Sequence, residues 1–144
     1  MTTIIIGDIM QKYYLFIINN NAHKIYKNNT IYLYKILDTL YHLKDSDLKY
    51  GLSLYKQLCD IFSVKLLNNY ITDRFNTNIE NSYLKLKSNK EKTKVKINFS
   101  CIIINSNCNN PEIFKIFNIY NKRIFTVDFK NKRYFWLNDI KKKI

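Results

Sequence analysis

The sequence predicts an α+β domain: a single antiparallel sheet with helices packed mainly on one face. Three observations predict it. Residues 12–18 are aromatic and β-branched and read as a buried strand. Apolar residues between 30 and 75 recur at helical spacing. Beyond residue 82 the period changes to two, interrupted by one short apolar helix near 112–120. The order strand, helices, hairpin, helix, hairpin is that of an antiparallel sheet with segregated helices.

The elements follow in chain order. The opening strand ends at Asn19-Asn20-Asn21, a turn by composition. Residues 23–27 read as a return strand or an irregular lead-in. A helix is predicted over 30–43, with Thr30 as N-cap and Leu33, Ile36, Leu37, Leu40 and Leu43 as its core stripe. Ile31, Tyr34 and Tyr41 widen its apolar surface, so it is either deeply buried or turned partly to a partner. A second helix is predicted over 46–62, with Ser46 as N-cap and Asp47 at the positive end of its dipole. Leu48, Leu52, Tyr55, Leu58, Cys59 and Phe62 form its periodic face. A third covers 64–75, with Leu66, Leu67, Tyr70, Ile71 and Phe75. Residues 76–81 are a polar loop.

Leu84 and Leu86 then alternate with lysines, and Val95, Ile97 and Phe99 alternate with Lys94, Lys96 and Asn98. This is a hairpin turned at 89–92, with one basic, solvated face. Residues 101–104 continue as an apolar run. Pro111 opens a short helix whose Ile113, Phe114, Ile116, Phe117 and Tyr120 leave it apolar over a broad face. Strands at 124–129 and 134–137, joined at 130–133, complete the sheet. One domain is expected over 1–144, with 139–144 as a basic tail.

The chain has 144 residues, and Lys+Arg 24 against Asp+Glu 11 gives a net charge of +13. The charge is uneven, +2 over residues 1–81 and +11 over 82–144. Two readings stand. One is a polyanion partner, nucleic acid or an anionic membrane surface. The other is composition alone, because Lys, Asn, Ile, Tyr and Phe are all encoded by AT-rich codons. No apolar run approaches the roughly 18 residues of a membrane span. Cys59, Cys101 and Cys108 are odd in number and lack a C-x-x-C pair, as in reduced thiols of a cytoplasmic protein, with Cys101 buried in a strand.

The catalytic inventory is thin, and the chain is expected not to be an enzyme and to take no cofactor or metal. His23, in a polar turn, and His42, near a helix end, have no nucleophile in a recognisable motif. Gly7 and Gly51 do not make a phosphate loop. Asp38, Asp60, Asp73 and Asp128 are scattered and read as solvated or capping groups. Lysines at 85–96 and 130–133, with Tyr134 and Trp136, have the chemistry to meet phosphates and bases. They read first as charges that keep hairpin strands soluble, with the aromatics in the core.

The most distinctive stretch is Val127-Asp128-Phe129-Lys130-Asn131-Lys132-Arg133-Tyr134-Phe135-Trp136-Leu137-Asn138. It resembles the C-terminal hairpin of the SirA family, the sporulation inhibitors of replication of endospore-forming Firmicutes. The shared positions are Asp128, Phe129, Lys132, Arg133, Tyr134, Trp136, Leu137 and Asn138. Residues 12–18 are similar to that family's opening strand, and Tyr26 stands where the family has a tyrosine before its first long helix. The order of elements agrees over residues 10–140. The family's start aligns with Met10, which implies that residues 1–9 are an extension or a misassigned start; the other departures are Phe135 where the family has Gly and Asp139 where it has Pro. The resemblance implies a non-catalytic protein that binds the N-terminal domain of the initiator DnaA and blocks initiation of chromosome replication, without a cofactor. Tyr26, Ile31, Tyr34, Asp38 and Tyr41, in the near-neutral half, are the expected partner-binding residues. Tyrosines bury large area at modest entropic cost. Nucleic acid is the alternative partner, through the basic C-terminal half. Neither a membrane nor a small-molecule substrate is expected.

Overall fold

A computed structural model describes residues 10–88 and 90–140. The extension at 1–9 and the lysines of the tail lie outside the described residues. Strand β1 (Gln11–Ile18) leads into helix α1 (Asn20–Tyr26), then α2 (Thr30–Tyr41) and, after a 3-10 turn at Asp45–Asp47, α3 (Leu48–Leu58). A short strand β2 (Cys59–Asp60) precedes α4 (Val64–Phe75). Strands β3 (Ile79–Glu80), β4 (Tyr83–Lys87), β5 (Lys92–Ile97) and β6 (Ile102–Ser106) follow, then α5 (Ile113–Tyr120). The hairpin of β7 (Ile124–Asp128) and β8 (Arg133–Trp136) runs directly into α6 (Leu137–Ile140).

All described strands join one antiparallel sheet in the order β3-β4-β5-β6-β1-β7-β8, with β2 paired to the end of β1. The α+β class and the single antiparallel sheet are as the sequence predicts. The helices, however, divide between both faces. Strand β1 explains why: Tyr13, Leu15 and Ile17 point to one side, and Tyr14, Phe16 and Ile18 to the other. An apolar strand in the middle of a sheet needs cover on both sides.

On the first face, Leu67 and Ile71 of α4, Ile113, Phe114 and Phe117 of α5 and Leu137 of α6 pack across the sheet from β4 to β7. On the second face, Ala22 of α1, Leu33 and Leu37 of α2 and Leu58 of α3 pack on β1, β7 and β8 only. Each buried Leu or Phe contributes about 1.5–3 kcal/mol relative to exposure. The second-face side of β4 and β5 carries Tyr83, Lys85, Lys87, Lys92, Lys94 and Lys96, all half-buried or exposed.

Several local readings are corrected. Residues 20–26 are helical, not a strand or an irregular lead-in. Asn19 is the N-cap, and its side chain accepts a hydrogen bond from Ala22 N at 2.8 Å. His23 therefore sits in a helix, not in a turn. Thr30 is the first helical residue of α2 and Asn29 its cap. Ser46 lies inside the 3-10 turn, and α3 stops at Leu58 because Cys59 and Asp60 pair with β1. Ile79–Glu80 add an edge strand where a loop is predicted. Phe99 is exposed beyond β5, and Leu66 and Tyr70 face solvent on α4 rather than the core. Leu137 begins α6 instead of ending a strand. Cys101 is only half-buried, just ahead of β6, and all three cysteines are free.

Candidate partner-binding surface

The β7–β8 hairpin is built by its own sequence. Asp128 is buried, and its carboxylate accepts hydrogen bonds from the backbone N–H of Asn131 (3.2 Å) and from Asn131 Nδ2 (2.7 Å). This is an Asp-turn, in which a side chain replaces a backbone acceptor. Lys132 then adopts a left-handed φ of 55° and closes the loop. Strand register sets Asp128 opposite Arg133, Val127 opposite Tyr134 and Phe125 opposite Trp136. Tyr134 and Trp136 thus share the second face with Phe125 and Val127.

That face receives α2. Tyr34 stacks on Tyr134 with ring centroids 4.6 Å apart, and Tyr41 stacks on Phe129 at 4.2 Å. Tyr14 meets both Tyr41 and Phe129 edge-on at 5.2 Å. Its hydroxyl donates to the Tyr41 hydroxyl at 3.4 Å. Burial, reinforced by Tyr41, pushes the Tyr14 phenol well above its ordinary pKa. Offset and edge-on aromatic pairs add about 0.5–1.5 kcal/mol each beyond area burial. Trp136 anchors α1: its indole N–H donates to the Lys27 carbonyl at 3.1 Å, and its ring meets His23 edge-on at 4.9 Å.

The fold thus brings together two sets of residues about 90 positions apart, Tyr34 and Tyr41 with Phe129 and Tyr134. It does not make all five expected partner-binding residues surface anchors. Tyr34 is 9% exposed, held between Tyr134 and Phe129, and acts in packing. Tyr26 is half-buried against the second-face core. Ile31 is 41% and Tyr41 48% exposed. Asp38, half-buried, lies 3.3 Å from His42 Nδ1 one turn on. Of the hairpin positions, Lys132 and Arg133 are exposed, Phe129, Trp136 and Leu137 are buried, and Tyr134 and Asn138 lie between. Ile25 and Tyr32, both prominently exposed, are functional candidates that the periodicity does not mark. The signal for Tyr32 is that it falls off the Leu33–Leu37–Leu40 stripe of its helix.

No protein-family model matches this chain, and no curated protein sequence does. The surface must therefore be read from its own chemistry. Among the described residues, no group of three His, Cys, Asp or Glu side chains is arranged to hold a metal ion. No helix among them is long and apolar enough to cross a membrane. What the surface offers is a rim of aliphatic and aromatic side chains on α1 and α2, mounted on a rigid aromatic base. Such rims suit protein contact, where aromatic anchors dominate binding energy.

The anchor of α1 is also sensitive to pH. Burial, then the neighbouring Lys27 and Arg123 cations, hold the His23 pKa below its ordinary value. The folded state therefore prefers neutral His23. Its contribution to stability is present above the unfolded pKa of about 6.5 and is lost as pH falls through the lower folded value. Melting temperatures between pH 7.5 and 5 are expected to decline less for His23→Phe than for the parent protein. Parallel curves would rule out His23 as the titrating group.

Proposed function

We propose that the chain is a non-catalytic, cytoplasmic inhibitor of chromosome replication. It binds the N-terminal domain of the initiator DnaA and blocks the initiator's assembly at the origin. The observation that carries this reading is the docking of α2 on the β7–β8 hairpin. The stretch that resembles the SirA family (127–138) supplies Phe129 and Tyr134, and α2 lies on them through Tyr41 and Tyr34. The conspicuous sequence therefore serves to hold a helix in place. Ile31, Tyr32 and Tyr41 of that helix keep much of their surface in solvent.

The mechanism is occlusion. A preformed apolar rim needs little ordering on binding, which favours affinity. A partner that assembles through the surface it covers is blocked without any covalent step. The near-neutral charge of the first 81 residues fits a partner of ordinary charge rather than a polyanion.

The test is calorimetric titration of the chain with the N-terminal domain of DnaA from the same organism. One-to-one binding is expected, changing little between 100 and 300 mM salt. Tyr26→Ala is expected to weaken it by about 2 kcal/mol, the loss typical of a hot spot. Because Tyr26 also packs on the core, Ile31→Glu serves as a second variant. It alters an exposed residue and should reduce binding while leaving the melting temperature within about 2 °C, as surface substitutions usually do. An absence of binding by the parent protein would remove this function.

A further inference from the structure

We infer that the uncovered half of the second sheet face binds single-stranded nucleic acid. This goes beyond the proposed protein partner, uses a different surface and does not depend on that reading.

The strand register builds the surface. Lys85 lies directly opposite Lys94, Lys94 opposite Asn105, and Asn105 opposite Lys12, so one row of side chains crosses four strands. Lys87 lies opposite Lys92 in the row beside it, and Lys96 opposite Ile103 on the other side. Alternation places all six lysines on the face away from α4 and α5. Along a strand their spacing is about 6.8 Å, and between neighbouring strands about 4.8 Å.

Solubility alone does not account for this pattern. Like charges directly opposite each other destabilise a sheet. A surface that only resists aggregation is served by mixed signs. Here lysine faces lysine in two cross-strand pairs. Among the described residues the ion pairs are Asp38–His42, Glu112–Lys115 and Asp60–Arg123, and none includes these lysines. The carboxylate in register with the face is Glu80, at its outer edge opposite Tyr83. A polyanion would relieve the repulsion that the bare face carries.

Two features favour a single strand over a duplex or a lipid surface. Tyr83 is half-buried on the same face, with Lys94 Nζ 5.8 Å and Lys96 Nζ 5.9 Å from its ring centroid. Tyr14 borders the face on β1, with Lys12 Nζ 5.4 Å from its ring. Aromatic rings set among lysines on an open antiparallel sheet give unpaired bases a stacking platform while the cations take the phosphates. Duplex bases are already stacked and gain nothing from such rings. Ile103, the apolar residue in register on this face, is half-buried opposite Lys96 and offers a bilayer little to take up.

The test is fluorescence anisotropy with labelled 20-nucleotide oligo-dT and oligo-rU at 50 to 300 mM salt. If all six lysines engage, log K should fall with log salt at a slope of about −4, from roughly 0.7 per neutralised phosphate of a single strand. The triple variant Lys85→Gln/Lys94→Gln/Lys96→Gln should bind at least tenfold more weakly at 100 mM salt, with the slope reduced by about 2. Lys65→Gln/Lys115→Gln/Lys122→Gln, an equal charge change on or beside the first-face helices, should leave the slope unchanged. Tyr83→Ala should weaken binding about fivefold or more with no change of slope, and Tyr83→Phe should restore it. Equal losses in the two triple variants would mean diffuse attraction and overturn the proposal. So would failure to bind either oligonucleotide, or binding to phosphatidylglycerol vesicles in place of them.

Discussion

Trp136→Ala is expected to destabilise the protein by about 3–5 kcal/mol, the cost of removing a buried aromatic side chain. Trp136 lies against Phe125 at 5.0 Å and His23 at 4.9 Å, and its N–H satisfies the Lys27 carbonyl. One substitution therefore opens a cavity on the second face and releases α1. Urea unfolding checks it. With a slope of about 2 kcal/mol/M, the midpoint should drop by roughly 2 M. Trp136→Phe keeps most of the volume but not the donor, and should lose about 1–2 kcal/mol. A loss below about 1 kcal/mol for the alanine variant, within the range of surface substitutions, would mean that the hairpin is not anchored as described.

Phe117→Ala is expected to cost a similar amount, about 3–5 kcal/mol, through the opposite face. Phe117 is fully buried in the cluster that joins α4 and α5 to the sheet. The two aromatics touch separate clusters with the sheet between them. The milder pair Trp136→Phe and Phe117→Leu should therefore add within about 0.5 kcal/mol, as distant sites do. A coupling of 1 kcal/mol or more in the double variant, measured by the same unfolding curves, would show that the faces do not pack independently.

Much of the fold was legible because its signals are local. The run at 12–18, the stripe at 64–75 and the alternation at 83–97 each match an element that the structure contains. The errors arose where one residue type serves two local roles. Asn19 reads equally as a turn residue or a helix cap. The capped helix won because Ala22 and Tyr26 behind it find the second-face core. Cys59 and Phe62 continue the periodicity of α3, yet the chain leaves the helix there to pair with β1, since pairing at a sheet end is a tertiary choice.

The expected partner-binding residues show the same limit. Tyr34 and Tyr41 lie two turns apart on one helix, and no sequence pattern separates them. Only the arrival of Tyr134 over Tyr34 buries the first, while Tyr41, stacked on Phe129 at the edge, keeps part of its surface in solvent.

The sequence by itself determined the α+β class, the antiparallel hairpins and a basic face on the lysine-rich strands. Period and charge alternation are properties of a single segment and survive without neighbours. The tertiary structure alone decided that the helices cover both faces of the sheet and that lysine opposes lysine across β4 and β5. It also decided that the sheet next to α2 is left bare. Those outcomes depend on strand register and on which apolar surfaces meet, and both are set by burial between segments far apart in the chain.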